Sequence, residues 1–170
     1  MISLFLGLTL ANLVCLSTAA ALGYLHADGS AAGRWHVVAG ALAAITCCAV
    51  HCVVFTYFIA TAKWVQHAIL IKQLDPTLAA PTRSFKAQAF PAALASIAMV
   101  FVTSVLGAAA DNAYVRPLYH HLLALAMIAT NVLSAVVEYG AIRSNGLLID
   151  RVLELANPAH VAAPSAQVGE

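Results

Sequence analysis

Apolar residues run almost unbroken through four stretches of the chain, about residues 2–24, 35–62, 89–110 and 117–139. A helix needs about 20 mostly apolar residues to cross a bilayer. The pattern therefore predicts an all-α integral membrane four-helix bundle with short exterior loops. A shorter pattern follows the fourth stretch. Leu147, Leu148, Val152, Leu153 and Leu155 alternate with Asp150, Arg151 and Glu154. This reads as a C-terminal amphipathic surface helix over about 145–156, lying on the inner face of the membrane. One transmembrane domain over 1–157 and a disordered tail over 158–170 complete the expected organisation, with no internal repeat.

The second stretch keeps helical spacing past the membrane, through Trp64 to Lys72, until Asp75-Pro76 stops it. Pro81 is expected to keep the next segment irregular. Pro91 and Pro117 lie in the first turns of spans three and four, where helices tolerate proline.

The polar positions inside the spans are patterned too. At 100° per residue, His120, Ala124, Met127, Asn131, Ser134 and Glu138 share one face of span four. Leu122, Leu125, Leu133 and Val136 occupy the opposite face, suited to lipid. His121 points away from the stripe. Span two carries His36, Gly40, Ala43, Ala44, Cys47 and His51 on one broad face, with only small residues between its histidines. Small residues let a helix or a flat cofactor approach the backbone closely. Span one adds Thr9, Asn12, Ser17 and Thr18, and span three adds Ser96, Thr103, Ser104 and Gly107, all readable as interhelical hydrogen-bonders.

Spans two and four run in the same direction, so depths follow by counting. His36, His120 and His121 form an outer polar level near the membrane surface. His51 lies roughly 22 Å deeper along its helix and forms an inner level with Asn131 and Glu138. Ionisable groups at such depth are costly and usually have a partner or a task.

Composition agrees with this reading. The 170 residues are 62% hydrophobic and 9% charged, against roughly 25% charged in soluble domains. Net charge is +1, so nothing suggests a nucleic-acid surface and no nucleic-acid partner is expected. Six basic residues (Lys63, Lys72, Arg83, Lys86, Arg143 and Arg151) flank one side of the spans, and only Arg34 and Arg116 the other. The positive-inside rule then places both termini in the cytoplasm, in a membrane such as the bacterial inner membrane. The first span lacks a preceding Lys or Arg and reads as a retained helix, not a cleaved signal. Cys15, Cys47, Cys48 and Cys52 form no CxxC pair and read as packing residues.

Two neutral imidazoles on facing helices are a donor set for b-type haem. His36 with His120 or His121 is the expected pair, and the groove from Gly40 to Cys47 leaves room for the macrocycle. The spacing of His36 and His51 is similar to that of paired histidines in membrane cytochromes b. The expected role is thus a small cytochrome-b-like subunit supporting electron transfer, not a stand-alone enzyme. The alternatives are an accessory subunit without a cofactor, in a larger complex or homo-oligomer, and one binding a bacteriochlorophyll-type pigment through His51. A further alternative is a proton pathway through His51, Asn131 and Glu138. A diiron site finds no i, i+3 or i+4 set of ligands.

Overall fold

The computed structural model describes residues 1–25 and 32–157. Its elements are α1 (Ile2–Leu25), α2 (Ala32–Lys72), a short 3-10 turn (Pro76–Ala79), α3 (Pro81–Asp111) and α4 (Pro117–Ala156). All four long helices are long and apolar enough to cross a membrane. The expected four-helix membrane bundle is what the chain forms. Pro81 and Pro117 stand at the first helical position of α3 and α4, where a missing N–H costs nothing. The segment expected to be irregular after Pro81 is therefore helix from Pro81 itself, so Pro91 lies inside α3 and not in its first turns. Gln73 and Ala113, at φ 50° and 59°, end α2 and α3. The following N–H groups, of Leu74 and Tyr114, return to the carbonyls of Ile69 and Ala109 at 3.0 and 2.9 Å.

α1 packs against α2 and α4, α3 packs against α4 and α2, and α2 and α4 touch across the middle. Leu10, Val14, Leu42, Ile45, Phe101, Val105, Leu133 and Val136 are all more than half exposed and form the lipid face. The predicted faces of span four are the observed ones: Met127, Asn131, Ser134 and Glu138 are buried, while Leu122, Leu125, Leu133 and Val136 are exposed.

The expected surface helix is corrected too. Residues 145–156 are helical and amphipathic, but they continue α4 without a break and do not form a separate helix lying on the membrane. The 41-residue α2 is roughly 60 Å long at 1.5 Å per residue, about twice the hydrocarbon thickness. Both helices leave the bundle together. Leu148 and Val152 bury against Val65 and Ile69, with Leu74, Leu78 and Phe85 packed around them. The apolar stripe that looked like a lipid-facing surface is the seam of a helical stalk. The loop containing His26 and the tail containing His160 lie outside the described residues.

The structure also contains a repeat that the sequence reading misses. Cys47 Sγ donates to Asn131 Oδ1 at 3.4 Å, and Asn145 Nδ2 donates to Thr61 Oγ1 at 3.0 Å; each pair is 84 positions apart. His36 and His120, at the same separation, face each other with ring centroids 6.0 Å apart. A residue meets its own counterpart only on a rotation axis. The hairpins α1–α2 and α3–α4 are therefore related by an approximate two-fold axis running between α2 and α4. Buried positions match as well: Phe5 with Ala89, Leu16 with Val100, Ala43 with Met127, and Phe58 with Ile142. Both hairpins begin at the same end of the bundle, so this is a direct repeat and the axis lies along the helices.

Candidate functional site

The first turns of α2 and α4 carry the two facing imidazoles. His36 Nδ1 lies 2.8 Å from the carbonyl of Ala19 on α1, and His120 Nδ1 lies 3.2 Å from the carbonyl of Thr103 on α3. A carbonyl can only accept, so Nδ1 carries the proton and donates. Nε2 is left with its lone pair. Two glycines make these bonds possible. Gly23 and Gly107 each follow the accepting residue by one helical turn, beside its carbonyl. A Cβ on Gly23 would stand 2.9 Å from His36 Cε1, and one on Gly107 would stand 2.8 Å from His120 Cε1.

Between the imidazoles and below them is a cavity of about 300 Å³ lined by all four helices. Its walls come in counterpart pairs, among them Ala19 with Thr103, Ala20 with Ser104, and Gly23 with Gly107. The cavity thus straddles the axis. Gly40 lines it and faces open space, with nothing within 4 Å of where its Cβ would be. His121 also lines it but turns toward α1, its ring centroid 5.0 Å from that of Tyr24 and 6.1 Å from that of His120. Of the two adjacent histidines, His120 is the one that faces His36.

Deeper in the bundle lies a polar layer. Asn12 Nδ2 donates to Asn131 Oδ1 at 3.1 Å, and Asn131 Nδ2 donates to the carbonyl of Met127 at 3.0 Å. Ser96 Oγ donates to Ser134 Oγ, which donates to the carbonyl of Ala92, both at 2.9 Å. His51 Nδ1 and Glu138 Oε1 are 2.8 Å apart, with the two side chains only 3% and 1% exposed. The structure therefore brings His51 and Glu138 together as expected, but Asn131 bonds to Asn12 and not to His51. His51 Nε2, Asn12 Oδ1 and Thr9 Oγ1 are buried without a protein partner. Their helices adjoin, and helical counting puts them within about one helical turn of the same depth. The layer is held between apolar clusters. One contains Leu16, Ala43, Val100 and Met127; the other contains Phe5, Val54, Phe58 and Ile142. His51 and Glu138 also break the repeat, for their counterparts are Ala135 and Val54.

The four cysteines are free. Among the described residues no group of three His, Cys, Asp or Glu converges as a metal site would require. Comparison with protein-family models, with curated proteins and with solved structures found no match.

The sequence alone did not point to Gly23 or to the roles of Gly107 and Asn12. A signal for the glycines was present. Leu22-Gly23, eleven residues, Trp35-His36 recurs as Leu106-Gly107, eleven residues, Tyr119-His120. The rest of the two halves shares too few residues to draw attention to it.

Proposed function

We propose that this protein is a small membrane cytochrome-b-like subunit that holds one haem between α2 and α4 and supports electron transfer. The observation that carries this reading is the pair His36 and His120, each with Nδ1 tied to a backbone carbonyl and the rings 6.0 Å apart across the two-fold axis. Metal-bound histidines commonly donate their other ring nitrogen to a carbonyl, which fixes tautomer and orientation. An imidazole nitrogen sits about 2.0–2.1 Å from a bound transition metal, so two rings on opposite sides of one ion have centroids about 6 Å apart. Two histidines alone do not complete a metal site. A porphyrin, which supplies further nitrogen donors itself, would suit a two-histidine donor set in a cavity lined mostly by small and apolar residues.

Bound there, haem would supply a one-electron couple. The chain supplies the rest. His36 and His120 would hold it, and the carbonyls of Ala19 and Thr103 orient the two imidazoles. Gly23, Gly107 and Gly40 make room, and the apolar walls exclude water. His121 is a wall residue in this assignment. The stalk end, with Lys63, Lys72, Arg83, Lys86, Arg143 and Arg151, faces the cytoplasm, and the histidine end faces outward. The exposed apolar faces meet lipid or other membrane subunits.

The other readings draw less support. A pigment on His51 finds that residue bonded to Glu138 and packed beyond the floor of the cavity. A proton pathway through His51 and Glu138 meets an apolar layer on either side. A reduced-minus-oxidised absorbance spectrum of the purified protein tests the proposal. Sharp haem b bands, lost in His36→Ala and in His120→Ala but kept in His121→Ala, are expected. A flat spectrum from folded protein made with adequate haem supply would overturn it.

A further inference from the structure

The polar layer deep in the bundle leaves the first hairpin without a bond between its helices. Its hydrogen bonds join α1 to α4 through Asn12 and Asn131, α3 to α4 through Ser96 and Ser134, and α2 to α4 through His51 and Glu138. Among the described residues none joins α1 to α2 in this layer, though the two helices pack together. Yet His51 Nε2, Asn12 Oδ1 and Thr9 Oγ1, the buried atoms without a protein partner, all belong to that hairpin. Asn12 and Cys47 both reach Asn131 Oδ1, at 3.1 and 3.4 Å, so they share a level. One helical turn further in, on the same faces, α1 presents Thr9 and α2 presents His51. The second hairpin has Ala93, Ser96 and Ala135 at the counterpart positions, and Ser96 is bonded to Ser134. The set of unpaired groups is particular to the first hairpin.

The charge of the buried pair decides what these groups can hold. An isolated charge at this depth is very costly, so His51 and Glu138 together carry none. Among the described residues the His51 ring is the one hydrogen-bond partner of the Glu138 carboxyl, so the shared proton lies between Nδ1 and Oε1. The pair is then imidazolium with carboxylate or imidazole with carboxylic acid, and in both forms Nε2 bears a hydrogen. Nε2 is a donor, Asn12 Oδ1 an acceptor, and the Thr9 hydroxyl serves as either. We infer that one water molecule is bound between α1 and α2, accepting from His51 Nε2–H, donating to Asn12 Oδ1 and meeting Thr9 Oγ1 at a third position. Buried waters typically make about three bonds to groups that would otherwise go unpaired. A cation would meet the Nε2 hydrogen, and an apolar guest would leave all three groups unpaired. The water supplies the missing link from α1 to α2 and ties the His51 ring at both nitrogens. The apolar clusters on either side separate it from the histidine-end cavity, so the water site stands whether or not that cavity holds haem.

Val50-His51 is the only Val-His step in the chain. Isotope labelling of valine at its carbonyl carbon and of histidine throughout therefore singles out His51. Magic-angle-spinning NMR of the whole chain in liposomes reads its ring nitrogens, with magnetisation started selectively on water protons. Nε2 is expected to carry a hydrogen and to receive water magnetisation at least twice as fast as the backbone nitrogen of the same residue. Thr9→Val, which keeps the shape of the side chain, is expected to slow that transfer at least twofold, and Asn12→Leu to abolish it. An Nε2 without a hydrogen, transfer no faster than to the backbone nitrogen, or transfer unchanged in Thr9→Val would overturn the inference. Asn12 also bonds Asn131, so if Asn12→Leu fails to fold, Thr9→Val alone decides.

Discussion

His36 and His120 are counterparts in two hairpins, and they face each other across the axis that relates those hairpins, ring centroids 6.0 Å apart in an edge-on arrangement at 75°. Each is held by the same device, an Nδ1–H bond to a carbonyl beside a glycine. A site built twice by one rule gives matched controls, since each half tests the other.

The glycines are the first test. A methyl group on Gly107 would stand 2.8 Å from His120 Cε1, closer than side chains pack, and one on Gly23 would stand 2.9 Å from His36 Cε1. The ring has to shift and weaken its bond to the carbonyl. Gly107→Ala and Gly23→Ala are each expected to lower haem content at least tenfold, with helix content by circular dichroism unchanged. Equal loss of helix and haem would show that the glycines serve packing and not the imidazoles.

The buried pair tests stability. Removing one member of a buried pair costs about 3–5 kcal/mol, because the other is left unpaired. His51 and Glu138 are both nearly inaccessible, so Glu138→Leu is expected to fall in that range. Glu138→Gln keeps an oxygen for Nδ1 and is expected to lose roughly 1–2 kcal/mol. Leucine at both positions should recover much of the single-variant loss, since no orphan remains. Reversible denaturation in mixed micelles measures all three. A double variant as unstable as the summed singles would refute the coupling. The haem spectrum should persist in every folded variant.

Neighbouring leucines in the stalk separate the observed packing from the expected surface helix. Leu148 is buried against Val65 and Ile69, whereas Leu147 is 64% exposed. Leu148→Ala is expected to cost about 2–4 kcal/mol, and Leu147→Ala to stay within about 0.5 kcal/mol. Limited proteolysis after Lys63 and Lys72 should rise only in the first. If Leu147→Ala were the damaging change, the stalk would be mispaired.

Asp75 gives a pH dependence. Its carboxylate accepts the backbone N–H of Thr77 at 2.8 Å. That bond, and then the Thr77 side chain, hold the carboxyl below its ordinary value. A carboxyl lowered by folding contributes stability that is fully present above its unfolded pKa, about 3.9, and is lost as pH falls through the lower folded value. Cleavage between Gln73 and Ala80 by an acid-active protease should therefore increase as pH drops through that window. In Asp75→Ala it should be high and pH-independent.

Much of this protein is legible in its residues alone. Four apolar runs of membrane length require four helices, because lipid offers the backbone no other hydrogen-bond partner. The 3.6-residue period assigns Glu138 to the interior and Leu133 to lipid, and counting along parallel spans sets His36 level with His120. Other features needed the assembled bundle. The period alone could not say whether the stripe of Leu148 and Val152 faces lipid or another helix. Both are apolar surroundings, and only the partner stripe on α2 decides between them. It could not choose His120 over His121, since that depends on where α1 and α3 stand. Nor could it assign Asn131 to Asn12, because a helix presents a polar group to whichever neighbour lies opposite. The two-fold repeat stayed hidden for the same reason. Two hairpins can share a fold and an axis while sharing few residues, as apolar side chains of similar shape replace one another freely. Only groups with directional demands, such as an imidazole, its carbonyl and the glycine beside them, are compelled to recur.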